Sequence, residues 1–178
     1  MPPDHVPDLL APGLRLVFCG TSLGRRSAEE RAYYAHPGNR FWRTLFEVGL
    51  TPSRLAPHDW PRLLDHGIGL TDVGKTHFGN DADLPDDAFD PAALADKMAR
   101  YRPGLLAFTS KNAAAAALGV RTARLEIGPQ AARLGETPLF ILSSPSGSAS
   151  RYWNGGAAWH ALARHLGVAP AASIARPS

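Results

Sequence analysis

Apolar residues fall along this chain in two kinds of run. Leu14-Arg15-Leu16-Val17-Phe18-Cys19 is short, almost continuously apolar and closed by Gly20, the pattern of a strand buried on both faces. Gly67-Ile68-Gly69-Leu70-Thr71-Asp72-Val73, Gly104-Leu105-Leu106-Ala107-Phe108-Thr109 and Leu139-Phe140-Ile141-Leu142 repeat it. Between these runs the spacing turns helical. Residues 40–48 place Phe41, Leu45 and Val48 on one side, flanked by Trp42 and Phe46, and residues 60–66 read as a helix stopped by Gly67. Pro91 opens a helix reaching Tyr101, the alanine run 113–118 is closed by Gly119, and residues 156–166 form the last helix. Residues 75–89 read as a polar loop and residues 128–136 as turn-rich. Strands alternating with helices predict a single α/β, three-layer domain: a mostly parallel sheet of about four to five strands flanked by helices, with ligands at the strands' C-terminal ends.

A chain of 178 residues that is 44% hydrophobic suffices for one core, so the domain is expected to span residues 1–178, with residues 1–12 and 169–178 as flexible ends. No apolar stretch is long enough to span a bilayer, and no Lys or Arg precedes Arg15; neither a membrane nor a secretory or transit route is expected, which points to the cytoplasm. The lone Cys19 reads as a packed thiol. Seven histidines lie scattered without metal-ligand spacing, so no metal and no cofactor is expected. The formal charge of +3 says little, but Arg25, Arg26, Arg31, Arg40 and Arg43 crowd one segment, as phosphate contacts would, or as a solvated helix face would.

The suspect chemistry gathers where strands end. Gly20-Thr21-Ser22-Leu23-Gly24 follows the first strand, and its glycines let backbone N–H groups approach a flat ligand. Asp72 ends the second strand, Thr109 and Ser110 the third, and Ser144-Pro145-Ser146-Gly147-Ser148-Ala149-Ser150-Arg151 follows the fourth. A loop beyond the first motif reads Ala35-His36-Pro37-Gly38-Asn39-Arg40-Phe41-Trp42.

These pieces, in this order, resemble the mismatch-specific uracil- and thymine-DNA glycosylases of the uracil-DNA glycosylase superfamily, over residues 14–165 or so. The resemblance implies a uracil-DNA glycosylase-like fold and a monomeric, nucleoid-associated enzyme of base-excision repair that flips a deaminated base out of DNA and hydrolyses its N-glycosidic bond. It implies that backbone N–H groups around Gly20 and Thr21 meet the base oxygens, that Tyr34 forms the pocket floor, and that Ser27 touches the base edge. The 144–151 stretch corresponds to the DNA-intercalating loop, so Ser144, Ser146, Gly147, Ser148 and Arg151 are candidate DNA contacts, with Arg151 or Tyr152 as the wedge. A plain strand-to-helix connection is the alternative there. Lys111, opening the alanine-rich helix, is a candidate phosphate contact.

The chain departs from the family pattern in its first motif, which usually reads Gly-x-Asn-Pro-Gly. Ser22 stands where the water-positioning asparagine is expected, and Leu23 replaces the proline. Departure of the base leaves positive charge on the sugar, so a carboxylate that orients water and faces that charge is the natural substitute. Asp72 is that carboxylate; its alternative is a turn or helix-cap aspartate bonded to N–H groups of residues 73–75. Asn39 resembles the asparagine that hypoxanthine-removing members use, and its alternative is the N-cap of the helix that follows. No lysine in the motifs is placed for a Schiff base, so a monofunctional enzyme is expected. The favoured reading is uracil removal from G·U mismatches through Asp72. A hypoxanthine or xanthine glycosylase using Asn39, and a non-catalytic binder of damaged bases or abasic sites, are the alternatives.

Overall fold

The computed structural model describes residues 6–74 and 88–169. Its centre is a five-stranded sheet in the order β2-β1-β3-β5-β4, built from β1 (Leu16–Gly20), β2 (Ile68–Asp72), β3 (Leu106–Phe108), β4 (Gly128–Leu134) and β5 (Thr137–Ile141). β1 pairs in parallel with β2 and β3, and β3 with β5; only β4, paired with β5, is antiparallel. The helices are α1 (Arg25–Glu30), α2 (Phe41–Glu47), α3 (Pro91–Tyr101), α4 (Lys111–Leu118) and α5 (Ala157–His165).

Alternation along the strands explains the layers. Leu16 and Phe18 of β1 join one core with Phe41, Trp42 and Leu45 of α2 and Trp159 and Leu162 of α5. Val17 and Cys19 point the other way, into a second core with Leu94 and Met98 of α3 and Ala113, Ala114 and Ala117 of α4. Because both faces are covered, the strands read as continuous apolar runs. The alanines of α4 bring that helix close to the sheet. Phe18 is gripped from two directions, edge-on by Phe41 at 5.1 Å between ring centroids and face-on by Trp159 at 5.5 Å. Cys19 is fully buried, its thiol donating to the Gly20 carbonyl at 3.5 Å.

Three expectations are corrected. Residues 128–136 do contain a turn, but most of them form β4, an edge strand with little apolar alternation and a register shift between Pro129 and Arg133; exposure on both faces removes the pattern by which a strand is read. The helix expected over residues 60–66 is a 3₁₀ segment running Pro57–His66, although Gly67 ends it as anticipated, in the left-handed conformation at φ 71°. Of the N-terminal residues expected to fray, Val6 is fully buried and Leu9 exchanges both backbone hydrogen bonds with Leu70 at 2.9 Å. Asp8 adds an ion pair with Lys97 at 2.6 Å and accepts from the Thr71 hydroxyl at 2.8 Å. This segment clamps the outer edge of β2. The loop expected over residues 75–89 and the C-terminal tail lie largely outside the described residues.

Among the described residues, no helix is long and apolar enough to cross a membrane, and no group of three or more His, Cys, Asp or Glu is placed to hold a metal ion.

Candidate active site

Parallel pairing sets the site, because it aligns the C-terminal ends of β1, β2 and β3 at one edge. In the β1–β2 register Gly20 lies opposite Asp72, and the Thr109 amide donates to the Cys19 carbonyl at 2.9 Å just past the end of β3. The segments beyond the strands stay paired: the amides of Val73 and Gly74 donate to the carbonyls of Gly20 and Thr21 at 2.9 and 2.7 Å. Those two amides are therefore committed to the glycine-rich turn, while Lys75, the third residue of the cap alternative for Asp72, lies outside the described residues.

Gly20 is glycine for reasons of space. A Cβ there would sit 2.7 Å from Asp72 Oδ1, and 3.6 Å from both Thr109 Oγ1 and Tyr34 Oη. Three polar side chains from three separate segments thus converge beneath the first turn. Asp72 is 4% exposed and Thr109 5%, so the carboxylate is withdrawn from bulk water, where its field on a nearby developing cation is strong.

Tyr34 reaches this point through an unusual backbone. Its φ is 52°, a left-handed value uncommon outside glycine and asparagine, and it turns two successive tyrosines to different tasks. The Tyr33 hydroxyl donates to the Pro7 carbonyl at 3.0 Å. The Tyr34 ring stacks on Phe41 at 3.9 Å between centroids, 18° from parallel, while its buried hydroxyl, beside that of Thr109, makes no hydrogen bond of ordinary geometry among the described residues. Burial chiefly, and then the charge of Asp72, hold this phenol well above its ordinary acidity range; the adjacent Thr109 hydroxyl opposes the shift. Tyr34 is neutral at any physiological pH.

A second cluster holds the loop after β5. Arg40 donates from its backbone to the Pro145 carbonyl at 2.8 Å and from its guanidinium to the Ser146 carbonyl at 3.2 Å and Ser150 Oγ at 2.6 Å. The same guanidinium lies 5.2 Å from the centroid of a Trp153 ring. Gly38 and Gly147 pack against each other, a Cβ on Gly147 falling 3.0 Å from the Gly38 carbonyl. Within the loop, Ser144 Oγ accepts from Ser146 N, Ser146 Oγ accepts from Ser148 N, and Ser150 Oγ donates to the Gly147 carbonyl. Arg151 and Tyr152 project from it, the guanidinium 5.6 Å from the tyrosine ring centroid, with Tyr152 69% exposed.

The remaining candidates divide. The Ser27 oxygen accepts from the Ala35 amide at 3.0 Å and is buried, so it braces the turn leading into the His36 loop. Asn39 Oδ1 accepts from the Phe41 amide at 2.9 Å, closing a turn one residue ahead of the α2 N-cap, which is Arg40. Ser22, half-buried in the turn, has an interaction of its own. Lys111 opens α4 behind Ser110, whose hydroxyl caps the Ala113 amide at 3.1 Å. Of the clustered arginines, Arg26 pairs with Glu30 and Arg43 with Glu47, while Arg40 is the loop anchor. From the sequence Arg40 is grouped with possible phosphate contacts and not as a loop anchor, and the hydroxyl of Thr109 has no assigned role. A threonine at a strand end was visible, but only the register places it under Gly20.

Comparison with known proteins agrees with this fold. The solution NMR structure of "a putative Uracil DNA glycosylase from Methanosarcina acetivorans" is similar with a TM-score of 0.59 at 23% identity, over 91% of this chain and 96% of that one, a likeness of fold. The family model described as the Uracil DNA glycosylase superfamily matches residues 7–163. The chain belongs to the uracil DNA glycosylase superfamily.

Proposed function

We propose that this DNA glycosylase removes uracil from DNA, from G·U mismatches in particular, as a monofunctional and monomeric enzyme of the mismatch-specific type. The observation that carries the reading is the place of Asp72: a buried carboxylate at the end of β2, directly opposite Gly20 of the ligand-facing turn. In the reaction the C1′–N1 bond breaks and its electron pair leaves with the base, which the N–H groups of the Gly20-Thr21-Ser22 turn receive. Asp72 faces the positive sugar, orients a water toward C1′ and takes its proton, and that proton departs with the released base or to solvent. Ser22, too short to do this from the first motif, shares the pocket without directing the water. Tyr34 presents a ring to the flipped base while Phe41 supports it from behind. The loop bearing Ser144, Ser146, Gly147 and Ser148 follows the DNA backbone, Arg151 or Tyr152 fills the gap left by the base, and Lys111 meets a phosphate.

Alkaline cleavage of labelled duplexes bearing G·U, A·U, G·T and T·hypoxanthine tests this, with wild-type protein beside Asp72→Ala and Asn39→Ala. Uracil release lost only with Asp72→Ala is the expected result. Hypoxanthine release lost only with Asn39→Ala would replace it with the other specificity, and wild-type inactivity on all four duplexes would make the protein a binder of damaged sites.

A further inference from the structure

The first motif lacks the asparagine that would hold the nucleophile from above, and one carboxylate fixes only one of a water molecule's two protons. We propose that Tyr34 and Thr109 complete the water site of Asp72, making Tyr34 a positioning residue as well as a stacking one. The inference rests on the glycosylase reading and adds two hydroxyls to it.

Three observations carry it. Asp72 Oδ1, Tyr34 Oη and Thr109 Oγ1 all lie within 3.6 Å of one point, the Cβ position denied to residue 20. The Tyr34 hydroxyl is buried and makes no hydrogen bond of ordinary geometry among the described residues, a state that a group entering the site relieves, and a phenylalanine would supply the same ring without burying a polar atom. Lastly, the left-handed backbone of Tyr34 is an expense of conformation that aims this ring at the strand ends.

The donors and acceptors can be ordered. Thr109 directs its hydroxyl proton at the Cys19 carbonyl, a long contact at 3.4 Å, so its lone pairs face Tyr34. Once the water is bound, Tyr34, kept protonated by burial, turns its O–H toward Thr109 and leaves its oxygen as an acceptor. The water gives one proton to Asp72 and the other to the Tyr34 oxygen, and its lone pair is left facing C1′. When the C–O bond forms, the proton moves to Asp72; Tyr34 and Thr109 neither gain nor lose one.

Single-turnover excision of uracil from a G·U duplex decides the matter, measured for wild type, Tyr34→Phe, Thr109→Val, Thr109→Ser and Asp72→Asn. Binding to a duplex with non-cleavable 2′-fluoro-deoxyuridine and thermal unfolding are followed in parallel. The expected result is a rate about tenfold or more lower for Tyr34→Phe and Thr109→Val, with binding unchanged, melting temperature equal or higher for Tyr34→Phe, and Thr109→Ser close to wild type. A Tyr34→Phe rate within about twofold of wild type, or a rate loss matched by an equal binding loss, overturns the proposal. If Asp72→Asn itself cleaves at the wild-type rate, the glycosylase mechanism above fails instead.

Discussion

Gly20 and Asp72 are register partners across β1 and β2, and the carboxylate oxygen of one lies 2.7 Å from where the other's Cβ would be. Space, not backbone conformation, requires the glycine, since Gly20 is absent from the positive-φ glycines among the described residues. A side chain at residue 20 must therefore displace the carboxylate. Gly20→Ala is expected to fold and to bind duplex DNA, while uracil excision falls by about tenfold or more. Single-turnover rates beside a melting curve check it; a folded variant with wild-type rate would mean that Asp72's position is immaterial.

Asn39 is engaged at the start of α2, with its side-chain oxygen on the Phe41 amide. Removing such a hydrogen bond costs about 1 kcal/mol, which for a chain of this size lowers the melting temperature by roughly 2–4 °C. Asn39→Ala should show that loss, Asn39→Asp should recover it, and both should excise uracil within about threefold of wild type. Activity that collapses in both variants would return Asn39 to the chemistry.

Arg40 ties the His36 loop to the loop after β5 through two guanidinium bonds, at 3.2 Å to the Ser146 carbonyl and 2.6 Å to Ser150. Arg40→Met keeps the aliphatic stem and loses both. The loop is then free to move, so affinity for duplex DNA is expected to weaken by about tenfold, as charge-assisted bonds of this kind imply. The excision rate at saturating enzyme should change far less. Fluorescence anisotropy with a labelled duplex gives the first quantity; a large drop in rate with unchanged affinity would contradict the anchoring role.

The buried Tyr34 phenol makes stability fall in alkali. Its acidity in the fold lies above the ordinary 10.0, through burial first and then Asp72, with smaller contributions from Cys19 and Tyr33. Unfolding releases it to ionise at the ordinary value, so its stabilisation is intact below pH 10 and is lost as pH climbs from 10.0 toward the folded-state value. Tyr34→Phe should consequently lose less stability than wild type above that pH, measured as the difference in melting temperature at pH 9 and pH 11, both chosen as lying about one unit on either side. Parallel curves for the two proteins would place the phenol in contact with solvent.

Much of this molecule could be read from its sequence. Apolar runs ended by glycine marked β1 and β2 because a strand covered on both faces keeps no polar alternation, and Pro91 and Gly119 fixed the start of α3 and the end of α4 because their backbone preferences are local. The gathering of candidate residues at one sheet edge followed from parallel topology alone. Other features depended on contacts between distant segments. β4 owes its existence to pairing with β5, not to its own pattern, and residues 6–12 are held by β2 and α3 although their composition suggested fraying. Ser27 and Asn39 could equally have faced a ligand, and only the fold showed their oxygens on the Ala35 and Phe41 amides. The sequence determined which chemistry was at hand, because residue type and strand ends are local properties. Tertiary structure decided that Asp72, Thr109 and Tyr34 meet beneath Gly20, because register and side-chain direction are set by packing between segments far apart in the chain.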